Sequence, residues 1–430
     1  MWHSTIGRIC VAVLTAILLG PSTVAVFAQS DGAADLTAVR NRAVETRTDA
    51  IRIWRDGKPL LIYDSPERPE QFTPQSIVKP IVALAVLKLL GDGKLDSLDQ
   101  PIYTLYPEWR EGRKKAITIR HVLTHTTGLQ NEANVQAELA HLPDRVQAAL
   151  AAEVQEDPGT RWRYNNKAYW LIGGIIERAS GERAEDYIRR NLFEPLGITD
   201  ARWTYDPSGR NLAVTGGLYL RPDEIARLGQ LVLDEGSFNG RQVIRADLVR
   251  EAISPLVTIG AGSNSMGLGW MLGRRTLQVT FGDSALSMLR AAQLPTAFIR
   301  RVERLHGTYS DWASFDDSVE VVFGDRNAFN DAVESAPAVW NAFVIQREDK
   351  PSFVFHTGDG GQYLYIMPAS RLVAVRLIRD LFSSEVLNSP EFSGKDTSDP
   401  EILRELGRRY MALSRATGFG DFGPRVLRLQ

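Results

Sequence analysis

Strand-forming segments stand near both ends of this chain, with a long helical stretch between them, and that order leaves few ways to close a core. Ala50 to Tyr63 reads as two short strands around Arg55-Asp56-Gly57-Lys58, a hairpin-like turn. Strand character returns at Ser352–Phe355, Gln362–Met367 and Leu372–Ile378, the last pair linked by Pro368-Ala369-Ser370. A lone hairpin is marginal in water, so these distant segments are expected to share one sheet. Between them, apolar periodicity predicts helices over 119–125, 143–153, 166–180, 184–193 and 222–235, broken by Gly and Pro. The last begins with Pro222, Asp223 and Glu224 in its first turn, as a helix start favours. A further helix is expected near Pro400 to Leu413. Periodicity alone supports an α/β or α+β fold class. The stretch 274–350 has mixed polarity and few clear periods, and reads as an elaboration with one or two helices such as 284–303.

The most apolar run of the middle, Ile81 to Leu90, ends in Gly91-Asp92-Gly93 and reads as a buried helix with a glycine stop. Ser76-Ile77-Val78-Lys79 precedes it. Residues three apart share a helix face, so Lys79 could reach the hydroxyl of Ser76 and take its proton. The positive end of the helix dipole favours an alkoxide there and disfavours a charged lysine, which serves as a base only when neutral. Alone, this spacing is common at solvated helix starts, and Pro80 opposes helical angles at Lys79.

The first residues give a compartment. One arginine, an apolar core from Ile9 to Leu19, and Ala25-Val26-Phe27-Ala28 before a cut after Ala28 make a secretory signal, too short in its apolar part to span a bilayer. Cys10 is the single cysteine and lies inside that signal, so residues 29–430 carry none; disulfides, thiolate catalysis and cysteine metal sites are excluded. About 400 residues remain, ample for a large core. Lys and Arg number 50 against 52 Asp and Glu, which argues for neither nucleic acid nor an anionic membrane as partner. No later stretch is apolar enough for a membrane anchor, so the expected location is periplasmic or secreted.

Two further constellations carry polar chemistry. Tyr164-Asn165-Asn166 follows the turn Asp157-Pro158-Gly159-Thr160 and precedes a helix from Lys167. A tyrosine near a lysine could relay protons, and an amide could orient a carbonyl or that lysine. The plainer reading is a tyrosine packed beside Trp162 with Asn166 capping the helix. His356-Thr357-Gly358-Asp359-Gly360-Gly361 follows the strand-like Phe353-Val354-Phe355; its N–H groups could bind an oxyanion, or it could be a simple tight turn. His121 and His125, four apart, could hold a metal on a helix, though no third ligand is evident.

Taken together, Ser76-Ile-Val-Lys79, Tyr164-Asn-Asn166 and His356-Thr-Gly358 resemble, in order and position, the S-x-x-K, Y-x-N and H/K-T-G motifs of the penicillin-recognising serine hydrolases. That superfamily includes class C β-lactamases, D-alanyl-D-alanine carboxypeptidases, D-aminopeptidases and related esterases and amide hydrolases. The connecting Ile117–Leu129, Pro158-Gly159-Thr160, Gly216-Gly217-Leu218-Tyr219 and Gly267-Leu268-Gly269-Trp270 are similar to the family as well. The resemblance spans roughly 45 to 380, apart from 274–350.

It implies a β-lactamase/transpeptidase-like fold over 29–430: an antiparallel sheet flanked by helices plus a mainly helical subdomain, with the site in the cleft between them. It implies an acyl-enzyme on Ser76, with Lys79 and Tyr164 sharing proton transfer and Tyr164 favoured as the base that activates water. Asn166 would bind the substrate amide or Lys79. The backbone N–H groups of Ser76 and Asp359 would form the oxyanion hole, with Thr357 and Gly358 beside the substrate. His356 would hold the proton network or a substrate carboxylate; its departure from the lysine usual in class C β-lactamases favours a peptidase, esterase or amidase. No cofactor or metal is implied, both His121 and His125 becoming structural. The expected partner is a small-molecule or peptide-like acyl substrate; oligomeric state stays open. A β-lactamase proper and a non-catalytic penicillin-binding-like sensor are the alternatives.

Overall fold

The computed structural model describes residues 32–131, 142–260, 264–292, 294–325, 328–333, 336–393, 395 and 399–429; the export segment expected over 1–28 lies outside them. Eleven strands matter to the argument: β1 Ala50–Arg55, β2 Lys58–Asp64, β3 Val257–Ile259, β4 Asn264–Met266, β5 Met271–Gly273, β6 Thr276–Phe281, β7 Gly307–Tyr309, β8 Val344–Arg347, β9 Phe353–Gly358, β10 Gln362–Met367 and β11 Leu372–Leu377. Eight of them form one antiparallel sheet in the order β2-β1-β11-β10-β9-β5-β4-β3. The amino-terminal hairpin therefore does pair with the carboxy-terminal strands, Ala50 lying opposite Leu377. The three-residue strands β3 to β5 are additions to the expectation, because so short a segment leaves no readable period.

Helices cover both faces. Alternation along β1 sends Ile51 and Ile53 to one side, where they pack with Val39 and Ala43 of α1 (Gly32–Glu45) and Phe422 and Val426 of α6 (Phe422–Leu427). Ala50 faces the opposite, larger core, together with Leu364, Val373 and Val375. That core takes in α2 (Val78–Gly91), α3 (Leu171–Ser180) and α4 (Pro222–Leu233). Every residue of α2 from Val78 to Leu87 is buried, as an all-round apolar helix must be. The helix expected over 166–180 is divided into Asn166–Tyr169 and α3, and the one over 184–193 passes from an α-helix, Ala184–Ile188, into a π turn, Arg189–Phe193. The last helix expected, α5, runs Pro400–Thr417.

The stretch 274–350 holds more structure than the one or two helices expected. Strands β7-β6-β8 form their own sheet, beside helices Asp283–Ala291, Thr296–Val302, Trp312–Phe323 and Ala328–Val333. Aromatic packing of Phe281, Phe315, Phe329 and Phe343 makes a core of its own. Such a core depends on rings far apart in sequence rather than on period, which is why pattern reading missed it.

The seat of α4 on the sheet depends on Gly229, where a β carbon would lie 2.6 Å from Cγ1 of Val373 and 3.1 Å from Leu364 Cδ1. Gly229→Val should destabilise the fold by ~2 kcal/mol through overpacking. Thermal unfolding checks this; an unchanged midpoint would mean α4 does not rest on β10 and β11 so closely.

Candidate active site

The chain enters α2 through a 3-10 turn, Gln75–Ile77, with Gln75 at a left-handed φ of 52°. Ser76 thus sits just before the helix and Lys79 is its second residue. Pro80 is the third, where a missing N–H costs no intrahelical bond, so the objection it raised disappears. Lys79 Nζ lies 2.9 Å from Ser76 Oγ and donates at 3.2 Å to the Thr215 carbonyl. Sequence reasoning missed that carbonyl; the glycine pair Gly216-Gly217 after it was the available signal.

His356-Thr357-Gly358 belongs to β9 itself, pairing with Leu364, Tyr363 and Gln362, so the tight-turn reading is corrected: the turn begins at Asp359. Gly358 brings that strand against the nucleophile's turn, since a β carbon there would lie 2.2 Å from the Pro74 carbonyl. Among the described residues, neither the Ser76 nor the Asp359 amide has a backbone acceptor, which leaves both free to donate to an oxyanion.

Tyr164 arrives on the extended segment before the helix Asn166–Tyr169, and its hydroxyl hydrogen-bonds Ser76. The cap of that helix is Asn165, which accepts from the Ala168 N–H at 2.9 Å, and not Asn166 as the plainer reading supposed. Asn166 opens the helix, buried, with its side-chain oxygen unpartnered. It makes no hydrogen bond to Lys79, so that half of its expected role is not met.

His121 and His125 do not share a helix face, because that helix ends at Leu123 and His125 lies beyond it at φ 57°. His121 Nδ1 accepts from the Thr118 N–H in a capping box. His125 Nδ1 accepts from the Asn165 N–H at 3.1 Å, and its ring lies 4.5 Å from that of Tyr164 and 5.0 Å from that of Tyr169. His125 therefore supports the tyrosine segment from beneath, a role its spacing did not reveal.

Burial sets the electrostatics. Lys79 is fully buried, 4.9 Å from the Tyr164 ring centroid, and desolvation lowers its pKa to about 7. Holding it uncharged costs on the order of 4 kcal/mol relative to an exposed ammonium. Burial raises Tyr164 to about 12, against the lowering effect of its bond to Ser76. His356 is lowered to about 3 by burial and by the charge of Lys79, and its Nδ1 lies 2.8 Å from the Thr357 carbonyl. An imidazole so held is neutral and offers no charge to a substrate carboxylate, and among the described residues its Nε2 has no hydrogen-bond partner, so it makes no direct link to the Lys79 network. His125 is driven well below its usual value by burial. Of the two groups placed to take the Ser76 proton, Lys79 and Tyr164, Lys79 is thus the one that first offers a lone pair as pH rises.

One cleft of ≈ 550 Å³ is lined by Ser76, Tyr164, Met271, His356 and Asp359, while Lys79 and Asn166 are not part of its lining. The beta-lactamase family model matches residues 38–389, most of the chain. The chain belongs to the beta-lactamase family. Among its curated relatives is esterase EstB of Burkholderia gladioli, 29% identical over 188 residues, covering 39% of this chain and 46% of that protein. Monacolin J acid methylbutanoyltransferase of Aspergillus terreus is 32% identical over 178 residues, 35% of this chain and 39% of the relative. Penicillin-binding protein 4* of Bacillus subtilis is 26% identical over 242 residues, 46% and 51% respectively. The chain spans about half, or less, of the length of these relatives. The octameric penicillin-binding protein homologue of Pyrococcus abyssi shares the fold, with a TM-score of 0.53 at 18% identity over 87% of this chain and 80% of that one.

A base that must be neutral gives a signed pH dependence. The value of kcat/KM should rise with pH through about 7, the pKa of Lys79. The folded-state value lies below the ordinary 10.5, so the unfolded chain binds more protons in that window and stability climbs as pH rises from about 7 toward 10.5. Lys79→Met should lower turnover about a thousandfold while stabilising the protein at neutral pH. A pH profile flat across this range, or a Lys79→Met protein less stable than wild type, would contradict the assignment.

Proposed function

We propose that this protein is an exported serine hydrolase that cleaves esters or amides through an acyl-enzyme on Ser76. The single observation that carries this reading is the 2.9 Å contact between Ser76 Oγ and a buried lysine whose pKa is lowered to about 7. Neutral Lys79 takes the Ser76 proton as Oγ attacks the acyl carbon, and the carbonyl oxygen becomes an oxyanion facing the Ser76 and Asp359 amides. Lys79 and Tyr164 then return a proton to the departing alcohol or amine, and the carbonyl re-forms as that bond breaks. Water attacks the ester on Ser76, losing its proton to the same pair, and Ser76 leaves with a proton restored. Tyr164, bonded to Ser76 and held near 12, is a better proton donor to the leaving group than a resting base. Asn166, with its unpartnered oxygen, is suited to a substrate N–H.

Support for ester chemistry comes from the relatives, which include an esterase, and from the neutral His356, which offers no charge to a peptide carboxylate. Acyl transfer to an alcohol is the second reading, favoured by the methylbutanoyltransferase relative. Added alcohol would then divert the acyl group from water. The secretory signal read over 1–28 supports the proposal of export, to the periplasm or outside the cell.

The test is p-nitrophenyl butyrate hydrolysis. Wild type should turn over, and Ser76→Ala should lose at least about a thousandfold. Equal rates in the two proteins would move the chemistry away from Ser76. Saturable ligand binding without product in wild type would favour the sensor module.

A further inference from the structure

A second cavity, ≈ 350 Å³, adjoins the cleft of Ser76. The two share Asp359 and Gly360, and Gln75, the residue before the nucleophile, lines the second one. Its volume lies within the range of about 300–1,000 Å³ typical of small-molecule pockets. One wall is α5, which lies beyond the stretch 38–389 that the family model matches. From that helix Tyr410 and Leu413 face Phe72 and the π turn Phe382–Leu387. The Tyr410 hydroxyl donates to an Asp359 carboxylate oxygen, and its ring meets Phe382 edge-on at 5.2 Å. Arg376, fully buried, donates to the Gly361 carbonyl at 2.5 Å and to the Thr417 carbonyl at 2.7 Å. One guanidinium thus fastens the end of α5 to the turn that carries the Asp359 amide.

The chemistry of the lining selects a ligand. Its single cation among the described residues, Arg379, is already held by Asp49 at 2.8 Å and Glu67 at 3.4 Å. Two carboxylates, Asp359 and Asp380, stand at the lining and would repel an anion. The rest of the lining is uncharged, with the apolar side chains of Phe72, Ile378, Leu381 and Leu413 beside polar ones such as Gln71, Thr73 and Ser383. Position also selects an end of the substrate. A carbonyl oxygen held between the Ser76 and Asp359 amides places its acyl chain beside Gln75 and Asp359, whereas the leaving group must face Tyr164, which lines the other cleft.

We propose that the cavity under α5 is the acyl subsite, taking a neutral aliphatic chain of medium length such as octanoyl. This rests on the acyl-enzyme reading above. The experiment compares p-nitrophenyl acetate and octanoate with wild type, Leu413→Trp and Leu413→Ala. The leaving group is common to both esters, so any difference reports on the acyl side. Leu413→Trp should lower kcat/KM for octanoate about tenfold or more while acetate stays within about twofold, and Leu413→Ala should spare acetate too. An equal change on both esters would overturn the subsite, and intact acetate turnover certifies that the variant is folded. Hexanamide binding to Ser76→Ala, read by calorimetry, separates the two claims. Binding that Leu413→Trp abolishes upholds the subsite even if no ester is turned over. Binding that Leu413→Trp leaves unchanged, or no binding at all, overturns it.

Discussion

A lysine fully buried from solvent organises this molecule. Lys79 is buried at the start of a helix that is itself buried on every side, and it lies against Ser76 Oγ, the Thr215 carbonyl and the faces of Tyr164 and Tyr169. No carboxylate is among those contacts. A charged ammonium would be strongly disfavoured there, so the cost of desolvation is converted into a base available at neutral pH. The two buried histidines nearby, His125 and His356, are neutral for the same reason and in part because of the lysine. A site of this kind is less stable than an apolar one of equal shape, a common feature where catalysis requires an unfavourable protonation state.

Geometry comes from three segments that meet only in the folded chain. Gly358 lets β9 touch the turn before Ser76, closer than any side chain would permit. The cap at Asn165 and the ring of His125 fix the segment that presents Tyr164. Arg376 ties the turn after Gly358 to the end of α5. Each is a rigid, buried attachment, which is what holding a nucleophile, a base and two amide donors in register requires.

Much of this was legible in the sequence because it rests on local chemistry. The hairpin around Asp56-Gly57, the buried run of α2 and the strand pair β10–β11 all follow from period and turn residues. The three motifs identified Ser76, Lys79, Tyr164 and His356 through resemblance, and the fold brings Ser76, Tyr164 and His356 to one cleft with Lys79 buried against Ser76. What was not legible depends on contacts between distant residues. The Thr215 carbonyl that receives Lys79 carries no side-chain signature, and the capping role fell to Asn165 because one residue of register decides which side chain meets the first turn. His125 reads like half of a metal pair only while Ile119–Leu123 is supposed longer than it is. The aromatic core of 274–350 and the clasp of Tyr410 on Asp359 have no period at all.

The central claim is the protonation state of Lys79, and it can be observed without any substrate. In protein labelled with ¹³C at lysine Cε, the signal absent from Lys79→Arg belongs to Lys79, and its shift against pH reports the ammonium directly. The account predicts a midpoint near 7, well apart from the other lysines. A midpoint near the ordinary 10.5 would mean that Lys79 is charged at neutral pH and cannot be the base that activates Ser76.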